Sequence, residues 1–168
     1  LADKILVGGG MAYTFLVAKG QTVGTSLLEP DHVEEAKEFL AKANGKIVLP
    51  LDTVATTEFS DQTESKVYEG NIPDGWMGLD IGPKAVGIFN EIIGKSKTIL
   101  WNGPMGVFEM EPFQHGTKAI AEAIAEATGD GAFSLIGGGD SVAAINKFGF
   151  EDKVSYISTG GGALLEYF

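Results

Sequence analysis

Arginine is missing: all 12 basic residues are lysine, and the net charge is −11. A nucleic-acid binder neutralises phosphates with basic patches, so this balance disfavours that class. Nor can the chain supply a bidentate guanidinium clamp for a carboxylate or phosphate. Phosphate binding here has to rest on backbone N–H groups, helix N-termini, a lysine or a metal ion. Cysteine is absent as well. That rules out a disulfide framework or thiolate metal site and fits a reducing, cytoplasmic setting. No apolar run approaches the roughly 18 residues of a membrane span, and no signal peptide is expected. The two histidines, His32 and His115, show no nucleophile or metal-ligand spacing and read as surface or capping residues. The chain opens on Leu1 rather than methionine, so part of something longer is expected.

What is present is the balance of a soluble globular domain, 44% apolar and 21% charged over 168 residues. Short apolar runs alternate with amphipathic helical patterns. Lys4–Val7 reads as a strand followed by three glycines and a helix ending near Gly20. Asp31 is the expected N-cap of a helix with Val33, Ala36, Leu40 and Ala43 on one stripe. "KIVLP" is a strand closed by Pro50; "VATTEF" and "SKVYE" read as short strands, and "NIPDGW" as a loop. Gly82-Pro83 opens a helix to about Ile93. "KTILWNGP" is a strand entering a loop, and Gly116–Thr128 is a helix with Ile120 and Ile124 inward. "FSLI" and "VSYIS" are strands flanking a helix at Asp140–Phe148, and a last helix starts at Gly162. The alternation predicts an α/β fold, a three-layer α/β/α Rossmann-like domain with a mainly parallel sheet. Such sheets bind ligands beyond the carboxyl ends of their strands.

Glycine triplets occur three times, at Gly8–Gly10, Gly137–Gly139 and Gly160–Gly162, each between an expected strand and an expected helix. In a parallel sheet all would lie along one edge. Glycine admits positive φ and close ligand approach, and the helix N-terminus beyond it offers N–H groups to an anion. Tight strand-to-helix turns are the alternative explanation. The dinucleotide fingerprint fails at its third glycine position, where Tyr13, Val142 and Leu165 stand, and no lysine follows any triplet as a P-loop requires. Asp140 can hold Mg²⁺ on a nucleotide or simply cap its helix. In "WNGPMGVFE", Glu109 can accept hydrogen bonds from ribose hydroxyls, and Pro104 and Val107 offer apolar surface to a base. A surface loop with a solvated glutamate is the plainer option.

"GGGMAYTFL", "GWMGLDIGP", "WNGPMGVFE", "IGGGDS" and "STGGGA" together resemble the C-terminal, nucleotide-binding domain of phosphoglycerate kinases, in that family's order and over essentially the whole chain. The resemblance implies reversible phosphoryl transfer between 1,3-bisphosphoglycerate and MgADP, giving 3-phosphoglycerate and MgATP. It implies that Gly9 and Gly10 wall an adenine slot, with Leu27, Phe59, Gly78, Leu79 and Val107 around it. Glu109 would bind the ribose, and Asn102 and Pro104 would lie along the nucleotide. Gly138, Gly139, Asp140 and Ser141 resemble the phosphate loop, with Asp140 directed to the metal and Ser141 to a phosphate. Gly138, Thr159, Gly160 and Gly161 would face the transferring phosphoryl. Residues 1–168 would then be one nucleotide-binding domain lacking the N-terminal domain that carries the basic 3-phosphoglycerate site, which accounts for the missing arginine. A monomer that binds nucleotide without turnover is expected, with no nucleic-acid or membrane partner. The rivals are a dehydrogenase's dinucleotide-binding domain and a non-catalytic domain whose glycines serve only turns. Lys84, Trp76, Trp101, Asp52 and Asp80 read as structural or solvated rather than as ligand contacts.

Overall fold

Strand β1 (Ile5–Leu6) runs through a glycine turn into helix α1 (Gly10–Ala18) in the computed structural model, which describes residues 3–158. Helix α2 (Val33–Ala43) buries Ala36 and half-buries Val33, Leu40 and Ala43, the stripe its periodicity requires. Its start departs from the expected cap. Pro30 opens a 3₁₀ turn over Pro30–His32, so Asp31 is already inside a helical turn and makes no capping bond. Proline's fixed φ favours that earlier start.

Strand β2 (Ile47–Val48) pairs with β1 in parallel, Ile5 opposite Ile47. The next three strands, β3 (Asp52–Thr56), β4 (Ser65–Glu69) and β5 (Met77–Ile81), instead form an antiparallel sheet in the order β4-β3-β5. Their connections, residues 57–64 and 70–76, are shorter than the roughly dozen residues a parallel crossover needs. Proline at the tolerated first turn opens α3 (Pro83–Gly94), as expected.

Beyond α3, β6 (Thr98–Asn102), β7 (Phe133–Gly137) and β8 (Tyr156–Ser158) pair in parallel in that order. Helices α4 (His115–Gly129) and α5 (Gly139–Phe148) make the connections between them. The architecture is thus the expected Rossmann-like α/β/α arrangement, mainly parallel but with an antiparallel portion. The third glycine triplet and the helix expected after it lie outside the described residues.

The larger core cluster joins α3, α4 and α5 to β6 and β7 through Phe89, Ile93, Trp101, Ile120, Ile124, Ile136 and Ile145. Each fully buried side chain of this size contributes about 1.5–3 kcal/mol of transfer free energy. A smaller cluster sets Tyr13 and Leu16 of α1 against Ala55 of β3 and Ile72. The smaller cluster holds α1 on the antiparallel sheet and the larger holds α5 on the parallel sheet of β6, β7 and β8; these are the helices that follow the first two glycine triplets.

Candidate functional site

The loop that leaves β6 lies between those two triplets. On one side, the Gly9 N–H donates to the Met105 carbonyl at 3.0 Å. Gly9 has φ +68°, and a Cβ there would stand 2.7 Å from the Pro104 carbonyl oxygen, so no other residue fits. On the other side, the Gly103 N–H donates to the Ser141 hydroxyl at 2.6 Å. Gly138 has φ +85°, and a Cβ there would stand 2.7 Å from Asn102 Oδ1. Gly9, Gly10, Asn102, Pro104, Gly138, Gly139 and Ser141 are therefore gathered around one loop.

The helix ends facing this loop differ from those of α3 and α4. Helices α1 and α5 begin after Gly9 and Gly138 without any side-chain cap. The N–H groups of Gly139, Asp140 and Ser141 have no hydrogen-bond partner among the described residues. By contrast, α3 is capped from the sheet, its Lys84 and Ala85 N–H groups donating to Asp52 at 3.0 and 2.8 Å. Likewise the Gly116 N–H of α4 donates to Asp80 at 2.8 Å. Uncapped N–H groups and the helix dipole together favour an anion at the α1 and α5 ends.

Asp140 and Glu109 are exposed, and neither makes a hydrogen bond or ion pair among the described residues. Both carboxylates are free for a ligand. Among the described residues no group of three or more His, Cys, Asp or Glu side chains could cage a metal ion. A divalent cation at Asp140 would have to complete its shell with phosphate oxygens and water, the usual habit of Mg²⁺ on a nucleotide.

Of the residues nominated around the adenine, two pairs touch, Gly10 with Leu27 and Leu79 with Val107. A Cβ on Gly10 would meet Leu27 Cδ2 at 3.0 Å. Leu27 is 68% exposed, whereas Leu79 is buried and gives its carbonyl to the Val107 N–H at 2.9 Å. Gly78 is buried between Tyr13 and Thr53, and its N–H donates to Ser26 Oγ at 2.8 Å. Phe59 stands on the β3–β4 turn and shares no hydrogen bond or ring contact with these residues among those described. Thr159, Gly160 and Gly161 fall outside the described residues.

Three groups outside the nominated site fasten the loop: Thr117 and Lys147, which carry no motif, and Asp80, which the sequence marks as structural or solvated. The buried Thr117 hydroxyl accepts from the Met105 and Gly106 N–H groups at 3.1 and 3.2 Å. The Lys147 ammonium donates to the Phe108 carbonyl at 2.7 Å. Asp80 accepts from Ile81 and Gly116, and its carboxylate is packed against Gly106 and Gly116 so closely that neither position admits a Cβ. Burial pushes the Asp80 carboxyl up to about 7, with the two N–H donors pulling the other way. Burial, and then the Asp80 charge, raise the Tyr13 phenol. His32 sits between Glu29 and Glu35, half-exposed, and its pKa is raised chiefly by the hydrogen bond to Glu35.

A family model described as phosphoglycerate kinase matches residues 1–168. Phosphoglycerate kinase of Latilactobacillus sakei is 54% identical over 166 residues, covering 99% of this chain and 41% of that protein. The one from Spiroplasma citri is 59% identical over 167 residues, covering 99% of this chain and 40% of its own length. The solved phosphoglycerate kinase of Coxiella burnetii superposes with a TM-score of 0.93 at 40% identity, over 99% of this chain and 44% of that one. The chain spans about two fifths of the length of the curated relatives it matches. By sequence and by fold, it belongs to the phosphoglycerate kinase family.

Proposed function

We propose that these 168 residues form the nucleotide-binding, C-terminal domain of a phosphoglycerate kinase, a cytoplasmic phosphotransferase of glycolysis. The reaction is reversible phosphoryl transfer between 1,3-bisphosphoglycerate and MgADP, giving 3-phosphoglycerate and MgATP. The observation that carries this reading is the placement of two glycine-led, uncapped helix ends on either side of the Asn102–Met105 loop. Such ends neutralise phosphate charge without arginine, and phosphoryl transfer asks for positioning and charge stabilisation more than for covalent chemistry.

In this reading Gly9, Gly10, Leu27, Phe59, Gly78, Leu79 and Val107 surround the adenine, and Glu109 accepts from the ribose hydroxyls. Asn102 and Pro104 run along the nucleotide. Gly138, Gly139 and the N–H groups at the start of α5 receive the phosphates, with Asp140 on the Mg²⁺. Thr159, Gly160 and Gly161 face the transferring phosphoryl. The buried Ser141 hydroxyl accepts from the Gly103 N–H, which leaves its O–H and its backbone N–H as the donors it offers a phosphate. The basic 3-phosphoglycerate site belongs to a separate N-terminal domain.

Calorimetry with MgADP, with ADP plus a chelator and with NAD tests the reading. Binding of MgADP with weaker binding of metal-free ADP and none of NAD is expected. Binding of NAD alone, or of none of the three, overturns it.

A further inference from the structure

Glu109, like Asp140, has a side chain that nothing in the described structure holds, yet a ribose hydroxyl can be read only by a carboxylate in a fixed place. What is held is its backbone. The Phe108 carbonyl and the Glu109 N–H belong to one rigid peptide plane, and the Lys147 ammonium takes that carbonyl at 2.7 Å. On the far side the Met110 N–H donates to the Val107 carbonyl at 3.1 Å. The Phe108 ring is buried, edge-on to Phe148 with centroids 6.4 Å apart. The Lys147 ammonium lies 5.7 Å from both ring centroids.

Lys147 gives its ammonium to a backbone carbonyl, whereas Lys37, Lys84 and Lys95 give theirs to carboxylates. It makes no ion pair with a carboxylate among the described residues, although this chain carries 23 acidic residues. A charge-assisted bond to a carbonyl is short and directional, and here it comes from the last turn of α5, where a cation also suits the helix dipole. The same helix carries Gly139 and Asp140 at its start and ties Gly103 through Ser141.

The geometry points to Lys147 as a positioning residue that fixes the Glu109 peptide for ribose recognition, so that α5 registers the ribose end of the nucleotide against its phosphate end. This rests on the nucleotide reading above. Lys147 touches no ligand itself; it acts through the Phe108–Glu109 peptide.

The test compares ADP with 2′,3′-dideoxy-ADP, both with Mg²⁺, by calorimetry on the wild-type chain and on Lys147→Met, which keeps the apolar stem and loses the N–H donors. The wild type is expected to prefer ADP by roughly tenfold, the scale of a hydrogen bond to a charged group. In Lys147→Met that preference falls to about threefold or less, the affinity for dideoxy-ADP staying within about twofold. Lys147→Arg, which keeps donors at similar reach, restores the preference. A Lys147→Met protein that has lost cooperative unfolding, or that loses both nucleotides equally, marks the lysine as merely structural and overturns the proposal. So does a preference for ADP that survives the substitution. A wild type that binds neither nucleotide overturns the nucleotide reading itself, a different failure from the other three.

Discussion

The Gly103 N–H and the Ser141 hydroxyl lie 2.6 Å apart, joining the loop after β6 to the first turn of α5. Ser141 is fully buried, so its oxygen is a structural acceptor. Replacing it with alanine strands a partly buried N–H, at a cost of about 1–3 kcal/mol. We expect Ser141→Ala to lower the midpoint of chemical denaturation by that amount and to weaken MgADP binding with it. A variant of unchanged stability and reduced affinity would show a hydroxyl reserved for phosphate instead.

Gly139 and Gly9 separate the two uses of glycine. A Cβ on Gly139 meets nothing within 4 Å, and its φ is not in the positive region. Gly139→Ala should therefore leave stability unchanged or raise it by about 0.5–1 kcal/mol, while obstructing MgADP. Gly9→Ala should destabilise by at least about 1–3 kcal/mol, because it combines a glycine-only conformation with a clash on Pro104. Denaturation midpoints and calorimetry on both variants check this, and an alanine at 139 that binds MgADP normally would mean the glycine is a turn residue only.

Asp140→Ala should weaken MgADP binding by roughly tenfold, the scale of one charge-assisted contact, and leave ADP with chelator unaffected. Its exposed carboxylate makes no bond that folding depends on, so the thermal midpoint should barely move. Equal loss in both titrations would make Asp140 a helix-end charge and nothing more.

Asp80 should give stability a pH dependence of its own. Its folded pKa, about 7, lies above the ordinary 3.8, so between those values the folded state holds the extra proton. The contribution is full below about pH 4 and is lost as pH rises through about 7. At about 1.4 kcal/mol per unit of pKa, the whole swing is on the order of 4 kcal/mol. Asp80→Asn removes the titration, so the stability of wild type relative to variant should fall from pH 5 to pH 8 in matched denaturations. A difference independent of pH would show that Asp80 is ionised throughout.

In a coupled assay with 3-phosphoglycerate and MgATP, the 168-residue chain should show no turnover. Measurable activity would place the triose site within these residues.

Most of the alternation was legible because it rests on local pattern: apolar runs bounded by glycine and proline, and helices with inward Ile120 and Ile124. The first two glycine triplets pointed to the turns where Gly9 and Gly138 flank the loop after β6, although the strands before them, β1 and β7, pair in separate sheets rather than along one edge. Strand β5 was not read, since Gly78 interrupts its apolar run; that glycine is required by Tyr13 and Thr53, which pack against it from elsewhere in the chain. The cap on α3 was equally hidden, because Asp52 reaches Ala85 across 33 positions. Asp31 had every local qualification for a cap and lost the position to the turn that Pro30 begins. Thr117 and Lys147 carry no motif; their role exists only because the loop's N–H and carbonyl groups come to them.

The clasp around Asp80 reaches into how such a sequence can drift. With no room for a Cβ at Gly106 or Gly116, the carboxylate and the two bare positions make one inheritable unit spread over three places. A side chain gained at 106 or 116 collides with the acid, and the acid lost from 80 leaves a hollow and an orphaned helix end. Side chains gained at 106 or 116, and replacements at 80 that lack a side-chain acceptor of the same size, are therefore closed as single steps, and natural variants should change such positions together or keep them all.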